Sequence, residues 1–168
     1  MNVFILKKIV IGVCVVFSMG MVTGNASTSA MSSGSNHPSG VIQVHQSELV
    51  WQEGPASLPA GAKFAVIEGD PSKPGLFTMR LALPASYTIP PHFHPTDEHV
   101  TIISGAINLG SGGMLDKSKE NLFTAGDFFM LPTGHPHYVW TTEATVLQLH
   151  GMGPWGITYV NPTDDPRR

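Results

Sequence analysis

Hydrophobic residues in this chain follow two patterns. An uncharged apolar run fills Ile9 to Val22, and beyond Val41 the apolar positions come in short stretches that alternate with polar ones or are cut by proline and glycine. The second pattern predicts strands over Val41–Val44, Phe64–Glu68, Leu76–Leu83, Glu98–Ser104, Ala106–Leu109, Asp127–Leu131, His137–Thr141 and Thr145–His150. Turn signals separate them, among them Pro59-Ala60-Gly61, Lys73-Pro74-Gly75, Gly110 to Gly113 and Pro132-Thr133-Gly134. Beyond the first apolar run there is no helical periodicity, although Gln46 to Gln52 has room for one short turn. Short strands at close spacing predict an all-β sandwich or barrel, and the jelly roll is the form that gathers distant strands around one cavity. Met79, Leu81 and Leu83 alternate with Arg80 and Ala82, which assigns the first three to a barrel lining and Arg80 to the outer face.

Composition narrows the picture. With 168 residues, 42% of them apolar, the chain can build one sizeable core and is too short for two ordinary domains. A formal charge of −3 and a charged fraction of 12% give no basic footprint, so nucleic acid is excluded as a partner.

The first apolar run has a different meaning. Lys7 and Lys8 precede it and small polar residues follow, the order of a secretory signal. Gly24-Asn25-Ala26 and Thr28-Ser29-Ala30 both fit small-x-Ala, placing cleavage after Ala26 or Ala30. An uncleaved anchor would need about 20 apolar residues. Cleavage removes Cys14, the only cysteine, so the mature chain has neither disulfide nor thiolate. It also removes two cations, leaving seven against twelve acidic residues, a formal charge of −5. Residues 31–40, MSSGSNHPSG, read as a flexible linker with a solvated His37, and the domain proper as 41–168. The expected destination is the periplasm or the exterior, with no stable membrane anchor.

Candidate chemistry concentrates in PPHFHPTDEHVTIISG, Pro90 to Gly105. In an extended strand His92 and His94 share a face, with Phe93 on the other. Glu98 follows beyond Pro95-Thr96-Asp97, a segment suited to a turn that could bring its carboxylate back to the two imidazoles. This spacing alone leaves a metal site and a polar surface corner both open. A second stretch, GDFFMLPTGHPHYVW, opens a strand at His137 after the Pro132-Thr133-Gly134 turn. Were that strand to neighbour the first, three imidazoles and one carboxylate would suit a divalent first-row metal: Fe, Mn, Ni, Cu or Zn.

These two stretches resemble the signature motifs of the cupin superfamily. His92-Phe93-His94, Glu98 and Gly105 fall on the spacing of the first motif, with Ser86 at its leading glycine; Gly126, Pro132, Gly134 and His137 fall on the second, with Thr141 at its final asparagine. The resemblance implies metal-ligand roles for His92, His94, Glu98 and His137. The stretches EGDPSKPG, HPTDEHVTIISG and HGMGPWGITYVNP are similar to small single-domain cupins, often exported, which implies a jelly-roll barrel (the cupin double-stranded β-helix) and commonly a homodimer.

Other polar and aromatic residues receive quieter roles. His99 and Asp97 are expected to face away from Glu98's side, and His135 to sit exposed in its turn. Tyr138 and Trp140, opposite His137, pack outside, while Trp155 and Tyr159 close the barrel end or meet a partner. Gln148 and His150 share one face of the last strand, and if that face is the cavity they contact substrate. The ligand set and the resemblance to cupin dioxygenases imply an oxidoreductase acting on a small enolic or phenolic molecule, with Glu98 as catalytic base. Alternatives are a non-catalytic binder of a small molecule or metal, and a metal-assisted isomerase or hydrolase, which Zn would favour because it has no redox chemistry.

Overall fold

A computed structural model describes residues 40–119 and 121–168. The expected signal sequence, and all of the expected linker but Gly40, lie outside the described residues. Among the described residues eleven strands form: β1 Gln52–Glu53, β2 Lys63–Glu68, β3 Gly75–Leu83, β4 Thr88–Phe93, β5 Glu98–Ser104, β6 Ala106–Ser111, β7 Leu122–Thr124, β8 Phe128–Leu131, β9 His137–Thr141, β10 Thr145–Gly153 and β11 Thr158–Tyr159. Two short 3-10 turns, Gln46–Glu48 and Pro162–Asp164, complete the elements. The strands build two antiparallel sheets, ordered β1-β2-β3-β10-β5-β8 and β11-β4-β9-β6-β7. Strands far apart in sequence are thus neighbours, as a jelly roll requires.

Seven of the eight predicted strands form, with shifted ends. Val41–Val44 does not: all four residues are exposed and no strand pairs with them. Four unpartnered residues have no ladder to satisfy their backbone groups, so water takes that role. Turn chemistry hides the strands that were not predicted. β1 and β11 are two residues long, β7 is three, and β4 contains Pro90 and Pro91, which cannot donate to a ladder. The register of β4 with β9 shifts between Ile89 and His92, where those prolines sit.

Alternation along β3 and β10 builds the core. Met79, Leu81 and Leu83 of β3 are buried, and Leu147 and Leu149 of the neighbouring β10 lie beside Leu81 and Met79 on the same inner face of the sheet. Phe77 is completely buried in the same cluster. Arg80 lies on the outer face, where its Nε donates to Gln148 Oε1 at 3.3 Å.

Ser86 and Thr141, where the sequence departs from the cupin motifs, meet at one corner. Ser86 takes φ +60°, the left-handed conformation that a glycine adopts without steric cost. One residue on, the Tyr87 amide donates to Thr141 Oγ1 at 3.0 Å, and that hydroxyl donates to the Pro84 carbonyl at 2.7 Å. The Thr141 amide completes the tie to the Tyr87 carbonyl at 2.9 Å. Threonine therefore clamps this turn in place of an asparagine. Gly105, at the end of the first motif, is required by space as well as by its φ of +75°: a Cβ would lie 2.3 Å from the Ala144 carbonyl oxygen.

Candidate metal centre

Four buried polar side chains gather inside the barrel. His92 closes β4 beside its last residue, His94 follows one residue past the strand, Glu98 opens β5 and His137 opens β9. The β4–β9 ladder pairs His92 directly with His137. All four are nearly inaccessible to solvent. Ring centroids lie 5.0 Å apart for His92 and His94, 4.2 Å for His92 and His137, and 5.2 Å for His94 and His137. One ligand atom from each imidazole falls within 4.8 Å of the others. Glu98 Oε2 approaches to 3.4 Å from His94 Nε2 and 3.7 Å from His137 Nε2.

Backbone carbonyls orient the rings. His92 Nδ1 lies 2.6 Å from the Pro90 carbonyl, His94 Nδ1 2.7 Å from Gly156, and His137 Nδ1 3.0 Å from His135. A neutral imidazole facing a carbonyl must carry its proton on that nitrogen, which leaves the Nε2 lone pair free. Nothing pairs with the buried Nε2 of His94. An unpaired buried nitrogen of this kind is costly unless something binds it. Three imidazole nitrogens and a carboxylate fit a divalent first-row metal, with the carbonyls acting as the outer supports that fix ligand orientation.

Electrostatics favour the same state. Burial lowers the pKa of His92 well below its usual value, with His137 and His94 contributing. Burial likewise takes His94 down to about 4, and lowers His137 despite the opposing pull of Glu98. The rings are therefore neutral, the form that coordinates, and their contacts with Glu98 are not ion pairs near neutral pH. Burial pushes Glu98 up to about 7, against the opposing effects of His137 and His99.

Asp97 has a role that the sequence did not signal. Its Oδ1 accepts from the Thr133 amide at 2.7 Å and the Thr133 hydroxyl at 2.9 Å, and the Gly134 amide donates to the His94 carbonyl at 2.9 Å. These bonds tie the turn between His94 and Glu98 to the turn before His137. The bonds from Thr133 also hold the Asp97 carboxyl below its usual range. The aspartate flanking the glutamate thus positions the donors from outside.

Gln148 and His150 do not face the cavity. Along β10 the buried positions are Leu147 and Leu149, so pleating directs Gln148 and His150 to the opposite face. His150 lies edge-on to His99 at 4.9 Å there, which places His99 outside as expected. His135 stays in its turn, with Nε2 3.2 Å from Ser111 Oγ. Tyr138 and Trp140 stack at 6.0 Å behind β9, and Tyr138 donates to the Asp116 carbonyl. Trp155 stacks on His94 at 4.8 Å, and Tyr159, paired with His92 across β11 and β4, donates to the Ser57 carbonyl. These two aromatic residues pack directly against the donor set.

A cavity of about 30 Å³ adjoins His92, Glu98 and His137, walled by aliphatic residues including Leu81, Leu83, Val100 and Leu147. It has room for one or two water-sized groups.

Comparison with known proteins agrees with this architecture. The family model described as "Cupin domain" matches residues 79–150, which contain all four buried donors. No curated protein matches the chain. Among solved structures, the polyketide cyclase RemF of Streptomyces resistomycificus is similar at 15% identity and TM-score 0.63, over 76% of this chain and 90% of that one. A provisionally assigned acetylacetone dioxygenase of Methylibium petroleiphilum PM1 is similar at 17% identity and TM-score 0.59, over 77% and 88%. An RmlC-like cupin of Shewanella frigidimarina is similar at 12% identity and TM-score 0.51, over 65% and 87%. With the jelly-roll sheets and the motif residues in these positions, residues 79–150 of the chain form a cupin domain.

Proposed function

We propose that this cupin holds one divalent first-row metal through His92, His94, His137 and Glu98, and acts as a dioxygenase-like oxidoreductase on a small enolic or phenolic molecule. The observation that carries the proposal is the convergence of three buried imidazoles whose Nδ1 atoms are all turned to backbone carbonyls. A bound redox-active metal would supply activation of dioxygen toward an electron-rich substrate.

The chain's own residues would contribute positioning, dryness and a proton site. Burial keeps the imidazoles neutral, and the three carbonyl contacts aim them inward. The aliphatic wall excludes bulk water, and its small cavity suits a diatomic or a water better than an aromatic ring. Glu98, whose burial favours the protonated carboxyl, is placed to accept and return a proton at Oε2. Fold alone does not choose the reaction, since structures of this shape include a cyclase and a provisional dioxygenase.

The leader pattern supports action outside the cytoplasm, and exposed Leu76, Ile103, Phe128, Met130 and Met152 support a homodimer. A monomer in size-exclusion chromatography with light scattering would remove the dimer from this reading.

The test is elemental analysis of the protein from its exported fraction beside a His92→Ala, His94→Ala variant. Near-stoichiometric Fe, Mn, Ni or Cu, lost in the variant, is the expected result, followed by oxygen uptake with enolic and phenolic substrates. Zn instead would favour isomerisation, hydrolysis or plain binding. Metal absent from the wild type, or oxygen uptake retained by a metal-free variant, would sink the proposal.

A further inference from the structure

Four side chains with metal-binding atoms stand together on the outer face of the six-stranded sheet, away from the donors inside the barrel. His99 of β5 pairs directly with His150 of β10 on one side and with Met130 of β8 on the other. Met152 follows His150 by two residues, so pleating puts it on the same face, about 7 Å along β10. Their neighbours Glu98, Val100, Leu131 and Leu149 are buried, which turns all four outward.

Geometry brings the two imidazoles within reach of one ion. Their ring centroids lie 4.9 Å apart at an interplanar angle of 81°, close to the 5.0 Å and 79° of His92 and His94 inside the barrel. Backbone carbonyls hold the inner rings, whereas among the described residues no hydrogen bond holds His99 or His150. His99 Nδ1 is buried, which leaves Nε2 as the nitrogen that can meet an ion from solvent. Met130 and Met152 are 47% and 55% exposed, and three rotatable bonds let each thioether swing over the histidine beside it.

The chemistry of the donors selects the ion. Thioether sulfur is a soft donor that favours Cu(I), and imidazole also suits copper, whereas hard divalent ions prefer oxygen. No carboxylate joins the group among the described residues. Glu98 points into the barrel, the Asp97 carboxylate is held by Thr133, and Glu68 is separated from His150 by Thr78 on the intervening strand. A second copy packed on this face would cover the methionines equally well, so the test reads sulfur bonded to the ion.

We propose that the outer face of the sheet carries a Cu(I) site formed by His99 Nε2, His150, Met130 and Met152. It does not rest on the centre inside the barrel, because Glu98 and His99 point to opposite sides of β5.

The probe is Cu(I), titrated without oxygen against a chromophoric Cu(I) chelator into protein from the exported fraction that has been stripped of divalent metal. X-ray absorption of the complex shows whether sulfur is bound. Sulfur identifies the outer site, because no methionine or cysteine lines the cavity among the inner donors. The wild type should hold one sulfur-ligated copper per chain. Met130→Leu with Met152→Leu keeps the apolar volume and the fold, and should remove the sulfur signal. It should also weaken that copper about tenfold or more, since loss of even an outer support costs about that much. His150→Asn should weaken it to a similar extent. Both variants should keep the divalent metal content of the wild type, measured before stripping, so the inner centre and this site stand or fall separately. Copper bound through nitrogen and oxygen alone, a sulfur signal undiminished in the methionine variant, an affinity unchanged in His150→Asn, loss of divalent metal from either variant, or no binding of Cu(I) would each overturn the proposal.

Discussion

Replacing Glu98 with glutamine preserves the side chain's shape and removes its titration. In the metal-free protein burial moves this carboxyl from 4.5 to about 7. That gap, at about 1.4 kcal/mol per pH unit, amounts to roughly 3 kcal/mol. Because the folded value lies above the unfolded one, the contribution is fully present below pH 4.5 and is lost as pH rises through about 7. The histidines run the other way. Their lowered values give stability that is present above 6.5 and is lost as pH falls, toward about 4 for His94. Wild-type stability mixes both trends, so the informative quantity is wild type minus Glu98→Gln. Urea unfolding of chelator-treated proteins between pH 4.5 and 8 should show that difference falling by roughly 3 kcal/mol up to pH 7 and then levelling. Adding a divalent metal should cancel the fall, because the ionised carboxylate then gains a cationic partner. A difference independent of pH would refute the burial of an unpaired, titrating carboxyl at this position.

Other outcomes follow from particular contacts. Ser86→Gly should raise stability by up to about 1 kcal/mol, because it relieves a left-handed residue; a lower melting temperature would contradict this. Thr141→Val should cost about 1 to 3 kcal/mol, because it leaves the Tyr87 amide without its acceptor, and denaturant titration would show it. Gly110→Ala would place a Cβ 2.2 Å from the Tyr138 ring and should cost about 1 to 3 kcal/mol in the same assay, with metal content retained. Trp155→Ala should weaken metal retention about tenfold in chelator competition, because His94 loses its stacked support; an unchanged off-rate would count against that role.

Much of the barrel was legible because alternation is a local property. Met79, Leu81 and Leu83 repeat every second residue, and a pleated strand sends such residues to one side whatever its neighbours are. The same rule placed His92 and His94 together. Alternation could not say which side was inward, so Gln148 and His150 were open to a cavity role until β10 was seen to bury Leu147 and Leu149. Nor could it find β1, β7 and β11, whose two or three residues pair only because a neighbouring strand presents a ladder.

By itself the sequence determined the strand-rich class, the motif spacing and the residue types able to ligate a metal, because these depend on side-chain chemistry and short-range pleating. Tertiary structure alone decided what surrounds them. Asp97 reaches Thr133 across 36 positions, Gly156 meets His94 across 62, and Trp155 lies on His94 while lining a second cavity. Such contacts are made by chain reversals that join distant strands, and burial, which neutralises the histidines and raises Glu98, exists only once those strands have closed around them.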